Sequence, residues 1–300
     1  MCSRVIELLN GSTAKQLQLS DRGLAYGDGL FETLLVTDAI PQLWKLHMQR
    51  LARGLQQLCL VDSQTGIDSL LTRIREDVEQ VLATNTLDEP LVLKLIITRG
   101  QGGRGYQTPP QAEHNRIVSL APLLPKRVEL SRSGITVRLC RQQLGINPAL
   151  AGHKHLNRLE QVLARNEWQD EAIHEGLMTD LDGNLISGVM SNLFVEQDGI
   201  LLTPPIVRCG IAGVMRQQLI NVAVSANIPS RQQTLVVADL ISAESVWLTN
   251  SLNGIWPITH LLDVNHRSLR QYAISSLTRV MQQALAMTMV TSLMLAQWQA

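Results

Sequence analysis

The chain has 300 residues, enough to bury a substantial core and more than one ordinary domain needs, so two domains are expected. Its 26 basic side chains balance 26 acidic ones, which leaves no long-range field to attract nucleic acid or an anionic membrane and points to small-molecule chemistry. Cys2, Cys59, Cys140 and Cys209 form no CxxC pair, so neither a metal site nor a disulfide framework is expected.

The thiols are expected to be reduced and mostly buried, as in a cytoplasmic protein. The apolar run in "MCSRVIELLNGS" is too short for a signal peptide. That in the tail "MTMVTSLMLAQWQA" falls far below the ~20 residues of a membrane span, so a packed helix end or an oligomer contact is expected there.

In chain order, "SRVIELLNGS" predicts a strand running into a turn, and "DAIPQLWK" another strand. "HMQRLARGLQQLCL" and "DSLLTRIREDVEQVL" have helical spacing. "EPLVLKLIITRG" predicts a buried strand ending at Arg99, and the glycine-rich "GQGGRGYQTPP" a loop. Two prolines in "LAPLLPKRV" mark a link between domains. Beyond it, "GITVRLCRQ" is a strand and a helix begins near Leu156. "LMTDLDGNLISGVMSNLFVEQDGILLTPP" alternates apolar runs with two Asp-Gly turn signals, the pattern of an antiparallel meander. "AGVMRQQLINVAVSAN" predicts a helix, "ESVWLTNS" a strand, and "LRQYAISSLTRVMQQALAM" a closing helix.

Among 26 basic residues only five are lysines, and one of them, Lys154, stands just ahead of a periodic helix in "HKHLNRLEQVLARNEW". An ammonium gives up its proton when desolvated and a guanidinium does not, so this lysine is a candidate for covalent or base chemistry. His153 and His155 flank it at a spacing that cannot share one helix face, so no metal role is assigned to them. In "GIAGVMR", glycines precede a helix and leave the N–H groups of Val214 and Met215 at its positive end, which suits an anion.

The chain resembles the fold-type IV pyridoxal-phosphate enzymes, and among them the aminodeoxychorismate lyases. The resemblance runs from about Arg4 to Met287 and rests on "DRGLAYGDGLFETL", "HMQRL", "RGQGGRGY", "KHLNRLEQVLAR", "GVMSNLF", "GVMRQQL" and "TNSLNGIWPI", in family order. It implies an α/β (α+β) fold: a small α/β domain over 1–120, a linker over 121–127, and a large mixed domain with a barrel-like sheet over 128–300. The cofactor, pyridoxal 5'-phosphate, is expected in the cleft between the domains. A homodimer acting on a small molecule is also implied.

By the same resemblance, Lys154 holds the cofactor covalently and later moves protons on the substrate carbon. An amine does both only when burial or a neighbouring cation disfavours the ammonium. Arg50 clamps the phosphate, for which a guanidinium fork is suited. The turn at Val214 and Met215 grips the same group, and Ser251 donates a hydroxyl to it. Arg104, between glycines that let a ligand approach, meets a substrate carboxylate, with Arg99 as a second cation. Tyr26 borders the site. Thr33 stands where related branched-chain aminotransferases usually carry glycine, and meets the departing pyruvyl group.

One position departs from the family. Relatives carry a glutamate facing the cofactor's ring nitrogen where this chain has Ser187 in "LISGVMSNLF". A neutral hydroxyl contributes a hydrogen bond worth ~1 kcal/mol, against ~1.5 to 3 for one to a charged group. The ring becomes a weaker electron sink, which harms transamination more than elimination. The expected reaction is conversion of 4-amino-4-deoxychorismate into 4-aminobenzoate and pyruvate, a step of folate synthesis. The alternatives are an aminotransferase for branched-chain or D-amino acids, and a catalytically impaired or silent homologue.

Overall fold

In "LVLKLIIT" every second side chain from Leu91 to Ile97 is buried while Lys94 between them stays exposed, the pattern of a strand with one covered face. The computed structural model describes residues 6–13, 16–84, 89–102, 105–110, 112–123, 127–289 and Trp298. Contacts divide the chain into two units. The first comprises Met1–Leu124, His153–Asn157 and Thr291–Ala300, and the second Pro125–Gly152 and Arg158–Val290.

The first unit runs β1 (Ile6–Leu9), α1 (Arg22–Tyr26), β2 (Gly29–Thr37), β3 (Ile40–Pro41), α2 (Trp44–Gln57), α3 (Gln64–Ala83), β4 (Leu91–Thr98) and β5 (Asn115–Pro122). Its strands form one antiparallel sheet in the order β1-β5-β4-β2-β3. Helix α2 packs on β2, and α3 on β5. The buried side of α2 repeats at Trp44, His47, Met48, Leu51 and Leu55, the spacing of an amphipathic helix. Trp298 is buried edge-on against Trp44, ring centroids 4.7 Å apart, with the Arg75 guanidinium over its ring.

The second unit runs α4 (Arg127–Ser133), β6 (Ile135–Leu139), α5 (Leu159–Arg165), β7 (Glu175–Thr179), β8 (Leu185–Gly188), β9 (Asn192–Gln197), β10 (Ile200–Thr203), α6 (Val214–Ser225), β11 (Ser230–Gln232), α7 (Val237–Ser242), β12 (Ser245–Asn250), β13 (Gly254–Leu262), β14 (Ser268–Gln271) and α8 (Ser276–Thr288). Strands β9, β12, β13, β6, β7 and β8 pair in turn, and β8 pairs back to β9 through Ser187 and Asn192, which closes a ring. Ile135, Val137, Leu177, Leu185, Leu193, Val195 and Leu248 belong to one core cluster of this unit. The β9–β10 hairpin turns on Asp198 and Gly199, both at positive φ, as a two-residue primed turn requires.

Several expectations are corrected. The strand read from "DAIPQLWK" is only Ile40–Pro41, because Leu43 adopts φ 55° and Trp44 already starts α2. The helix expected near Leu156 begins at Leu159, since the residues before it lie alongside β2 instead. The first part of the expected closing helix is strand β14. Cys59 is exposed, whereas Cys140 and Cys209 are buried; Cys2 lies outside the described residues. Among the described residues no helix is long and apolar enough to cross a membrane.

Candidate active site

Strand β3 is so short that it covers only Val36 and Thr37 of β2, leaving the edge at Gly29–Phe31 open. Residues 154–156 fill that edge. The Phe31 N–H donates to the Lys154 carbonyl at 2.9 Å, and the Leu156 N–H to the Gly29 carbonyl at 3.0 Å. Lys154 is thereby held in extended backbone, half-buried, with Nζ 4.0 Å from the centre of the Phe31 ring. An ammonium over an aromatic face is an attractive contact. Thr33 follows Phe31 by two residues, so both project from the same face of β2.

The intervening residue, Glu32, points to the opposite face and is 1% exposed. Arg50 donates to it from Nε at 2.8 Å and from Nη2 at 2.5 Å, and His47 Nδ1 lies 2.6 Å from Oε2. Burial alone would raise the Glu32 carboxyl, but Arg50 and His47 outweigh it and hold it at about 2. Burial pushes the His47 imidazole down, Arg50 and Lys154 add to that, and Glu32 opposes it. A neutral imidazole facing a carboxylate carries its proton on Nδ1. Nε2 is then an acceptor, and it is buried without a partner.

The other first-unit residues divide by exposure. Arg99 is buried, donating to both Asp28 oxygens and to the carbonyls of Cys59 and Leu58. Arg22 also donates to Asp28, and to the carbonyls of Gly105, Tyr106 and Gln107, so Arg22 ties residues 105–107 to the Asp28 carboxylate. Tyr26 is 38% exposed and so is not a core residue, and its ring lies 5.5 Å from that of Tyr106. Arg104 lies outside the described residues.

In the second unit, helix α6 starts at Val214 with Gly213 as N-cap and no side chain capping its first turn. Asn192 packs against that turn: its Nδ2 donates to the Ile211 carbonyl at 2.9 Å, and a Cβ on Gly213 would lie 1.9 Å from its Oδ1. Only glycine fits. The N–H groups of Val214 and Met215 thus form an anion-ready helix end. Ser187, buried on β8, pairs across the sheet with Met178 and Asn192. Ser251 lies in the turn after β12, where Asn250 Oδ1 accepts from the N–H groups of Leu252 and Asn253.

Glu175 is another buried carboxyl of this unit. It accepts from the Gly176 and Met190 N–H groups and from the Ser191 hydroxyl, and so braces the turn between β8 and β9. Burial outweighs these bonds and raises it to about 7. With Ser191, Thr249, Asn250, Asn253 and Trp256 it lines a small cavity.

Glu32, His47, Phe31, Glu175 and Asn192 were not singled out from the sequence. The available signal was a carboxylate inside an otherwise apolar strand, "LFETLLV", and a His–Arg pair three apart on a helix.

A model of the amino-transferase class IV family matches residues 29–261. The aminodeoxychorismate lyase of Vibrio harveyi is 30% identical over 276 residues, covering 91% of this chain and 97% of the relative. The crystal structure of 4-amino-4-deoxychorismate lyase from Pseudomonas aeruginosa superposes with a TM-score of 0.84 at 40% identity, over 93% of this chain and 97% of that one. A hypothetical aminotransferase from Mycobacterium tuberculosis, in its PLP-bound form, gives a TM-score of 0.75 over 93% of this chain and 95% of its own. At 22% identity that likeness speaks for the fold alone. The chain belongs to the amino-transferase class IV family, and its fold is fold-type IV, that of pyridoxal-phosphate enzymes.

Proposed function

We propose that this protein is a pyridoxal 5'-phosphate-dependent lyase that converts 4-amino-4-deoxychorismate into 4-aminobenzoate and pyruvate. The observation that carries the reading is the 40% identity, over nearly the whole of both chains, to a lyase named for this substrate. The donor set fits the cofactor: a half-buried amine for the aldehyde, and an uncapped helix end, kept open by a glycine, for the phosphate.

When bound, the cofactor supplies an electron sink for the pair left on the substrate carbon. Lys154 would anchor the cofactor through its amine and, once released, would remove the proton from the amine-bearing ring carbon as a free base. With that proton gone, the bond between the ring carbon and the enolpyruvyl oxygen would break as the ring becomes aromatic; the Thr33 hydroxyl would donate toward the departing oxygen, and the released enolpyruvate takes up a proton at carbon to become pyruvate. Arg50, the N–H groups of Val214 and Met215, and the Ser251 hydroxyl are the groups that would hold the phosphate. Arg104 and Tyr26 would meet the substrate. Arg99 is left out of this set, because its donors are engaged by Asp28 and two carbonyls. Ser187 would offer the ring nitrogen a neutral group in place of a carboxylate, which favours elimination over transamination.

The reading includes a cytoplasmic homodimer. Exposed Leu159, Val162 and Leu163, spaced three and four apart on α5, form an apolar stripe that a second copy would cover, and exposed Leu24, Tyr26 and Tyr106 add another surface in the first unit.

The test is to incubate cofactor-loaded protein with 4-amino-4-deoxychorismate and measure both products. Equal amounts of pyruvate and 4-aminobenzoate are expected. Neither product from loaded protein would reject the lyase, and conversion of bound aldehyde to amine by an amino acid would support an aminotransferase instead.

A further inference from the structure

Taking two charges out of water costs about as much as their pairing returns, so a buried ion pair is weak evidence of a stability device. In the first unit Glu32, His47 and Arg50 are 1%, 0% and 5% exposed, and His47 keeps one ring nitrogen buried without a partner. That arrangement is costly, and it has one evident geometric product. Glu32 accepts from both Nε and Nη2 of Arg50, which fixes the plane of the guanidinium. His47, three residues earlier on α2, holds the same carboxylate through Nδ1, so Glu32 is tied to the helix at two points.

We propose that Glu32 is a positioning residue for phosphate recognition: braced by His47, it presets the Arg50 guanidinium in the orientation that receives the phosphate of the cofactor. The proposal rests on the reading of Arg50 as the phosphate clamp. An arginine side chain left free would have to be ordered on binding, and presetting it removes that cost. The neutral state of His47 suits its place, because a further cation would meet Arg50 and Lys154. The opposing effect is charge cancellation, since the Glu32 carboxylate also offsets the Arg50 charge. The two effects differ in sign: removing the carboxylate loosens phosphate binding if orientation dominates, and tightens it if cancellation dominates.

The full-length chain, freed of cofactor, is titrated with pyridoxal phosphate and with pyridoxal, following the absorbance of the bound aldehyde. The ratio of the two affinities isolates the phosphate contribution. In Glu32→Gln this ratio is expected to fall by about tenfold, the scale of one charge-assisted hydrogen bond, and Glu32→Gln adds little once Arg50→Gln is present. A ratio that stays the same or rises overturns the proposal. So does an equal loss for both aldehydes, which would mean a scaffold role only. If Arg50→Gln keeps the full ratio, the clamp reading itself fails, whatever Glu32 does. Glu32→Asp keeps the charge and retracts the carboxylate by one methylene, and it supplies the same readout should the glutamine variant not fold. Its ratio is expected to fall as well, and an unchanged ratio in that variant overturns the proposal.

Discussion

Replacing Gly213 by alanine tests how the anion-binding end of α6 is built. The new methyl would sit 1.9 Å from Asn192 Oδ1, far inside van der Waals contact, and Asn192 is only 6% exposed. Its amide must therefore leave the Ile211 carbonyl that it now contacts at 2.9 Å. The lost bond costs about 1 kcal/mol, and the buried groups left unpaired about 1 to 3 more. Loss of backbone freedom in the unfolded chain returns about 0.4 to 1 kcal/mol. The net is a destabilisation of about 1 to 3 kcal/mol, with weaker pyridoxal phosphate binding as the N–H groups of Val214 and Met215 shift. Urea unfolding of Gly213→Ala, Asn192→Ala and the double variant measures it. The alanine at 213 should cost little once Asn192 has been cut back, so the two substitutions should be non-additive by at least about 1 kcal/mol. A cost that is the same in both backgrounds, or absent, would refute the steric argument.

The remaining predictions concern proton transfer and burial. Glu175 titrates at about 7 in the fold against an ordinary value of 4.5, because burial outweighs its hydrogen bonds. Below 4.5 folded and unfolded chains are both protonated, and between there and 7 only the unfolded chain loses the proton, so stability falls as pH rises across that window. The loss at this one group amounts to about 3 kcal/mol, and Glu175→Gln should flatten it when urea midpoints are compared at pH 5 and pH 8. For the reaction, Thr33→Val keeps the shape of the side chain and removes the hydroxyl, so kcat for pyruvate release should drop by about 100-fold with KM little changed. Unchanged kcat would remove Thr33 from the chemistry.

Local signals carried much of the fold. The Asp-Gly pairs announced the turns of the meander because Gly183, Asp198 and Gly199 take the positive φ that such turns need, which depends on a few adjacent residues. The glycine before Val214 signalled an open helix end because it has no side chain to cap the first turn. Long-range placement was less visible. No periodicity tells that residues 154–156 pair with β2, since that depends on β3 being too short to cover the edge. The environment of Lys154 beside Phe31 was therefore hidden, although Lys154 itself stood out. Arg99 and Arg50 look alike as isolated arginines. Only the fold shows Asp28 and two carbonyls taking up Arg99, and Glu32 bonded to Arg50 from the neighbouring strand.

Borohydride reduction of the loaded protein followed by peptide mass analysis asks directly whether the Lys154 amine is the covalent anchor of the cofactor. The account predicts a single modified peptide, carrying a reduced pyridoxyl phosphate group on Lys154. A label on any of the other four lysines, or none on a protein that has bound the cofactor, would contradict it.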